Sequence, residues 1–279
     1  MEKPENTIDE YAVAGYPVDH SLSPKIHKSF AQQTGEAISY GLLSIAPTLF
    51  EESVKKFAES GGKGLNITLP YKEAAFELAS ELGPEATKAK AVNTLTILSP
   101  KNIRGDNTDG IGFMRDLTKN NGVSLREKHI LILGAGGAAR GILPPLMNSS
   151  LGSLTLANRT VEKANRLVQL LNAKNKITVC SIAQLANAHT PDIVINATSA
   201  GVKGQTLLFP PSCINSKTFC YDLSYAPKQT PFLKWAGEQG ANKLVQGWGM
   251  LVEQAAESFL IWRGIRPDTK FLLRKNEKN

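Results

Sequence analysis

The chain has 279 residues, 42% of them hydrophobic and 20% charged, with 23 glycines and 15 prolines. That balance excludes fibrous, collagenous and disordered proteins, and at roughly 150 residues per domain it predicts about two domains. The net charge of +7 would suit a polyanionic partner, yet +4 of it lies in residues 263–279 and no basic stripe interleaved with aromatics occurs, so no nucleic-acid partner is expected. No apolar run approaches the ~20 residues of a membrane-crossing helix. The start MEKPENTIDE has no basic-then-apolar leader, so the expected protein is cytoplasmic, with no membrane partner. Cys180, Cys213 and Cys220 lack paired metal-ligand spacing; buried thiols are expected, with no disulfide and no metal.

In chain order the pattern alternates strand and helix, the signature of an α/β protein. A strand over 11–17 stops at a proline, and the following helix has Ser23 to cap it, Pro24 for its first turn and Gly35 for its end. ISYGLLSI reads as a strand, PTLFEESVKKFAESGG as a helix, and GLNITL as a strand before a helix over about 71–82. AVNTLTILSPKNIRGDNT alternates apolar and polar around a turn at 99–102, which predicts a hairpin. A helical pattern over 109–120 bridges to a second region. There HILIL, LTLANRT, ITVC, DIVINAT and TFCYDL are strands, and VEKANRLVQLLNA is a helix. A last helix over 251–263 ends at Gly264 and suits either region.

Chemistry concentrates at strand ends. Gly134, Ala135, Gly136, Gly137, Ala138 and Ala139 satisfy G-x-G-x-x-A directly after a buried strand. Gly134 would allow the tight turn, Gly136 the approach of a pyrophosphate, and the helix N-terminus would supply free N–H donors. The next strand ends in Asn158, Arg159 and Thr160, with Lys163 following and no carboxylate for ribose hydroxyls. Cationic and neutral groups there favour a 2′-phosphate, hence NADP(H) over NAD. In the first region Lys72 projects from a first helical turn. The helix dipole disfavours a cation there and a nearby carboxylate would favour it, and Asp109 is a partner of the right type. Such a lysine can act as a proton donor; the bland reading is a solvated lysine and a helix-capping aspartate.

These stretches carry a resemblance. Ser21-Leu22-Ser23-Pro24, Asn66-Ile67-Thr68-Leu69-Pro70-Tyr71-Lys72, Ala91-Val92-Asn93-Thr94-Leu95, Gly105-Asp106-Asn107-Thr108-Asp109-Gly110, the glycine loop, Asn158-Arg159-Thr160, Asp222-Leu223-Ser224-Tyr225 and Gly247-Trp248-Gly249-Met250-Leu251 with Gln254 together resemble the shikimate dehydrogenase family over essentially the whole chain. The resemblance implies reversible NADPH-dependent reduction of 3-dehydroshikimate to shikimate, a step towards aromatic amino acids. It also implies two α/β domains with a deep cleft between them: a substrate domain of residues 1–110 plus 247–279, and an NADP-binding Rossmann domain of residues 111–246.

By the same resemblance, Ser21, Ser23 and Tyr225 would bind the substrate carboxylate, Thr68, Asn93 and Gln254 its hydroxyls, and Lys72 and Asp109 would bracket the reacting oxygen. The glycine loop, Asn158 through Lys163, Leu223 and Gly247 would hold the cofactor. Leu223 stands where the family often has methionine, and Lys163 where it often has arginine; His20, beside the serines, is read as incidental. The expected partner is a small-molecule substrate, and a homodimer is compatible with the chain. Three alternatives remain: a quinate/shikimate dehydrogenase paralogue that uses NAD, a non-catalytic sensor that retains ligand binding, and an interaction module using the basic tail.

Overall fold

The computed structural model describes residues 8–187, 189–198 and 209–276. Residues 1–7 of the segment read for a leader, and Glu277 and Lys278 of the basic tail, lie outside them. The chain divides into two units, Met1–Gly112 with Leu251–Asn279, and Phe113–Met250, each carrying one six-stranded sheet.

The first unit opens with β1 (Asp9–Gly15), whose last five residues are all buried, as befits a central strand. α1 (Ser23–Thr34) follows, with Pro24 in its first turn and Gly35 ending it at φ 72°. Ser23 was expected to cap this helix, but it is a helical residue: Leu22 holds the cap position without a side-chain bond, and Ser21 Oγ accepts from Ser23 N at 3.3 Å. β2 (Ile38–Ser44) pairs parallel with β1. α2 (Phe50–Glu59) buries Phe50, Val54 and Ala58 at four-residue spacing, and β3 (Gly64–Ile67) returns on the other side of β1.

The next helix, α3 (Lys72–Leu78), is shorter than the reading over 71–82. Ser80 breaks it by bonding the backbone of Ile103 in both directions, so sheet pairing displaces the last helical turn. β4 (Glu81–Leu82) then joins the sheet edge, and α4 (Pro84–Ala89) precedes the antiparallel hairpin of β5 (Thr94–Ser99) and β6 (Asn102–Asp106). The strand order is β2-β1-β3-β5-β6-β4.

The bridging helix is α only over α5 (Asp109–Arg115) and becomes a π turn over Asp116–Asn120. Asp116 explains the change: it is 2% exposed, and accepts from Tyr221 Oη at 2.5 Å and Asn120 Nδ2 at 2.9 Å. The second unit continues with β7 (His129–Leu133), α6 (Gly137–Met147), β8 (Ser153–Ala157), α7 (Val161–Leu170), β9 (Thr178–Cys180), β10 (Ile193–Asn196), β11 (Phe219–Asp222), α8 (Pro231–Glu238) and β12 (Lys243–Gln246). Every pairing is parallel and the order is β12-β11-β10-β7-β8-β9. Numbered within the unit this is 3-2-1-4-5-6, read from the other edge, the dinucleotide-binding arrangement, with its switch point beside β7.

α9 (Trp248–Arg263) carries the chain back. From Leu251 onward it belongs to the first unit, where fully buried Phe259 and Phe30 stack edge to face at 5.9 Å; each buried ring contributes about 1.5–3 kcal/mol. Trp262 Nε1 donates to Leu95 O at 3.1 Å, over a β3 residue, Gly64, where a Cβ would lie 2.6 Å from that nitrogen. α10 (Lys270–Asn276) closes the described chain. No helix among the described residues is long and apolar enough to cross a membrane.

Candidate active site

In the first unit the chemistry gathers where β3, β5 and β6 end. Thr68 follows β3; its N–H donates to Ala14 O at 2.9 Å, and its carbonyl accepts from Tyr71 N at 3.0 Å. That turn delivers Lys72 as the first residue of α3. Asn107 Oδ1 accepts from Asp109 N at 3.1 Å and so aims the start of α5. Lys72 Nζ donates to Asp109 Oδ2 at 2.5 Å, with side-chain exposures of 14% and 6%. A largely desolvated ion pair of this kind is positioned by its neighbours as much as by its own attraction. Asn93 Nδ2 donates to the other carboxylate oxygen, Asp109 Oδ1, at 2.9 Å.

Around this pair, Asn93 (2% exposed) and Gln254 (8%) are buried, and Asn93 Nδ2 lies 3.2 Å from Gln254 Oε1. Gln254 Nε2 donates to Leu251 O, so α9 supplies a polar group to a site otherwise built from residues 66–109. Ser23, 5% exposed, bonds through its side chain to Tyr40, whose hydroxyl burial pushes well above the usual tyrosine range while Ser23 pulls it weakly down. Tyr40 Oη donates to Asn66 Oδ1 at 2.7 Å. Ser23 is thus linked to the Asn93 cluster, and Ser21 touches Ser23 directly.

Of the residues expected to meet substrate, the first unit brings Lys72, Asn93, Asp109 and Gln254 into one bonded cluster, with Ser21 and Ser23 tied in by Tyr40 and Asn66. Tyr225 belongs to the second unit, where its ring packs edge-on to Trp248 at 6.4 Å. Sequence reading passed over Asn66, Thr94, Thr108 and Ser258 as functional residues. The first three sit inside the quoted motifs; Ser258 lies one helical turn beyond Gln254, a spacing that puts both on one face.

In the second unit Gly134 has φ 101°, which favours glycine, and a Cβ there would meet Thr198 Cγ2 at 2.9 Å and the Ala197 backbone at 3.1 Å. Gly136 and Gly137 are the opposite case: a Cβ on either meets nothing within 4 Å. The N-terminus of α6 therefore has open space before it, no capping side chain and no acid in its first turn, which fits a pyrophosphate. Asn158 Oδ1 accepts from Ala135 N at 3.2 Å and its Nδ2 donates to Thr160 O at 2.8 Å, bracing the glycine loop against the end of β8. Arg159, Thr160 and Lys163 are exposed beside it, and residues 157–160 hold no carboxylate, the nearest acid being Glu162 in the first turn of α7, so the residues present fit NADP. Leu223 and Gly247 also meet: Gly247 N donates to Ser224 O at 3.0 Å, and a Cβ on Gly247 would lie 2.3 Å from Leu223 O.

Asp222 anchors that second pair of segments. Fully buried, it accepts from Asn196 Nδ2 at 3.1 Å, Ser224 N at 3.0 Å and Thr230 Oγ1 at 2.7 Å; burial raises its pKa and these donors pull it back. Burial also pushes the Cys213 and Cys220 thiols up to about 11 and about 12, which leaves them unreactive. Among the described residues, no group of three or more His, Cys, Asp or Glu could hold a metal ion.

A parallel sheet in dinucleotide-binding order with an open glycine loop, and a separate α/β unit bearing a buried lysine–aspartate pair, define a class: a two-unit nicotinamide-dependent oxidoreductase. Family models narrow it. Residues 13–95 match the shikimate dehydrogenase substrate binding domain, 116–205 the shikimate / quinate 5-dehydrogenase model, and 247–273 the shikimate 5′-dehydrogenase C-terminal domain. The shikimate dehydrogenase (NADP(+)) of Alkalilimnicola ehrlichii is 47% identical over 261 residues, covering 94% of this chain and 96% of the relative. The crystal structure of the shikimate dehydrogenase of Aquifex aeolicus superposes with a TM-score of 0.86 at 31% identity, covering 100% of both chains. The shikimate 5-dehydrogenase of Thermus thermophilus, solved in complex with NADP(H) and shikimate, gives 0.84 at 30% identity, covering 97% of this chain and 99% of that one. The chain belongs to the shikimate dehydrogenase family.

Proposed function

We propose that this chain catalyses the reversible NADPH-dependent reduction of 3-dehydroshikimate to shikimate, with Lys72 and Asp109 as its catalytic residues. The observation that carries this assignment is the Lys72–Asp109 contact of 2.5 Å on a unit whose polar groups otherwise suit a small polyhydroxy acid. NADPH supplies the hydride when bound. It would be held by Gly134 through Ala138, by Asn158, Arg159, Thr160 and Lys163 at the adenosine end, and by Leu223 and Gly247.

As negative charge develops on the substrate oxygen, the Lys72 ammonium stabilises it and delivers the proton; solvent then restores the lysine. Asp109 holds Nζ towards the reacting oxygen, and Asn93 fixes the carboxylate from behind. In the reverse direction Lys72 accepts the alcohol proton. The hydroxyls of Ser21 and Ser23 and that of Tyr225 would donate to the substrate carboxylate, while Thr68 and Gln254 would bind ring hydroxyls and Asn93, whose two N–H protons go to Asp109 and Thr108, would act on them through those two residues. We place the activity in the cytoplasm, where the free thiols stay reduced; light scattering decides whether the chain is a monomer or a homodimer, with either of which the sequence is compatible.

The test is reduction of NADP by shikimate, followed at the nicotinamide absorbance, for the parent and Lys72→Ala. Loss of a positioned general acid/base lowers turnover by about two to three orders of magnitude, with shikimate affinity largely kept. A variant that turns over at the parent rate removes Lys72 from the mechanism, and a parent preferring quinate or NAD in the same assay redirects the substrate assignment to the paralogue.

A further inference from the structure

Behind the catalytic pair lies a group of side chains that do not reach the reacting atoms. Ser258 on α9 is fully buried, and four groups approach its hydroxyl: Thr94 Oγ1 at 2.8 Å, Asn66 Nδ2 at 2.9 Å, Gln254 O at 3.1 Å and Thr108 Oγ1 at 3.2 Å. A hydroxyl has one proton to give and two lone pairs, so the protons in this cluster can be assigned.

Asn93 starts the assignment. Its Oδ1 accepts from the backbone N–H of Thr108 at 2.8 Å, which fixes that atom as the oxygen, and from Thr94 Oγ1 at 2.9 Å. Both lone pairs are then used, and the Thr94 proton is spent. Asn93 Nδ2 has two protons, and its two shortest contacts are Asp109 Oδ1 and Thr108 Oγ1, both at 2.9 Å. Thr108 Oγ1 therefore accepts from Asn93 and needs an acceptor for its own proton. With Asn93 Oδ1 filled, Ser258 Oγ at 3.2 Å is nearer than Gln254 Oε1 at 3.4 Å. Ser258 thus accepts from Asn66 and Thr108, and two acceptors compete for its one proton: Thr94 Oγ1 at 2.8 Å takes it in preference to the Gln254 carbonyl at 3.1 Å, because the Thr94 proton is already spent on Asn93 and the short Thr94–Ser258 contact has no other proton. The bonds close into a ring that runs in one direction: Ser258 to Thr94, Thr94 to Asn93 Oδ1, Asn93 Nδ2 to Thr108, Thr108 back to Ser258. Bonds so arranged polarise one another in the same sense.

We infer that Ser258 is a positioning residue for the reaction: it closes this ring, and the ring orients the Asn93 carboxamide so that its remaining N–H holds Asp109 Oδ1 and leaves Oδ2 to Lys72. The inference rests on the proposed roles of Lys72 and Asp109, and extends them to a residue that touches neither.

Ser258→Cys tests it, because a thiol keeps the shape but is a weak donor and acceptor. The expected result is a fall in kcat for shikimate oxidation of about five- to twentyfold, the scale of one hydrogen bond of ~1 kcal/mol or somewhat more. The KM for NADP should be unchanged, and Ser258→Thr, if it folds with the parent's Tm, should restore most of the rate. Adding Ser258→Cys to Thr94→Val, which already opens the ring, should cost little further. Parent kcat in the cysteine variant, or losses at the two positions that multiply in full, would overturn the inference. A second readout stands apart from activity: the Asn93 side-chain amide protons should exchange slowly with solvent in the parent and faster in Ser258→Cys, and equal exchange also overturns it. If the parent shows no shikimate turnover, the functional reading falls while this measurement still decides whether the ring exists.

Discussion

His27 shows how much a single buried side chain can weigh on the first unit. It is fully buried, its ring stacks on Tyr40 with centroids 4.0 Å apart, and neither ring nitrogen has a hydrogen-bond partner among the described residues. Desolvation pushes its pKa down to about 3, with the nearby Asn66 side chain pulling weakly upward. The folded state therefore keeps a neutral imidazole down to that pH, whereas the unfolded chain protonates it below about 6.5. Between those values the unfolded state holds more protons, so stability is lost as pH falls, by about 1.4 kcal/mol per unit at most. Denaturant midpoints from pH 7 to pH 4 should fall less steeply for His27→Phe than for the parent, and parallel curves would refute this account. The sequence made Lys72 legible because a cation in a first helical turn opposes the helix dipole, whereas Asp109, which also reads as an ordinary helix-start acid, became legible through the motif it shares with the family. It did not reveal His27 or Ser258. Helical spacing puts His27 beside Ile26 and Phe30 on the buried face, but only the partners available in three dimensions decide whether a buried polar group is inert or part of a network.

Elements show the same division. The helix read over 251–263 exists and begins three residues earlier: the stretch as read lies wholly in the first unit, and residues 248–250 lie in the second. Its C-terminal Arg263 is clamped by Asp9 and Glu36, with side-chain exposures of 14%, 13% and 21%. These contacts tie α9 to β1 and to the segment after α1. Arg263→Ala would strand two mostly buried carboxylates, and its expected cost of about 2–3 kcal/mol lies between the exposed and fully buried limits. Urea unfolding measures it; a change below about 0.5 kcal/mol would mean the clamp is incidental. The elements that reading missed are short. β4 has two residues, too few for a periodicity, and β12, a sheet-edge strand with none of its four residues buried, lacks the apolar run that marked the central strands, whereas α8 did carry a signal in Thr230, whose hydroxyl accepts from Leu233 N at its N-terminus. The π turn at Asp116 was invisible because its cause, Tyr221, lies 105 positions away.

At the scale of the whole molecule, the strand–helix alternation and the glycine loop disclosed the fold, while the pairing order within each sheet came only from the structure. The cluster around Lys72 belongs to one unit and the glycine loop to the other, so each ligand should leave a separate mark. Hydrogen exchange with NADP alone should slow amides at 134–139 and 158–163, and with shikimate alone those near Lys72, Asn93, Asp109 and Gln254. A ligand at a hundred times its Kd stabilises what it binds by about 2.7 kcal/mol, roughly a hundredfold in exchange rate. Shikimate that protected the glycine loop and left the Lys72 region untouched would reverse the assignment of the two units. The split of the first unit also bears on its synthesis. Residues 113–250 must emerge from the ribosome between Asp109 and Gln254, a delay of about 7–28 s at 5–20 residues per second. Throughout it the nascent helix face that will meet Phe259 and the strands that will meet Trp262 stay uncovered, so the half-made first unit is the stage at which a chaperone would find this chain.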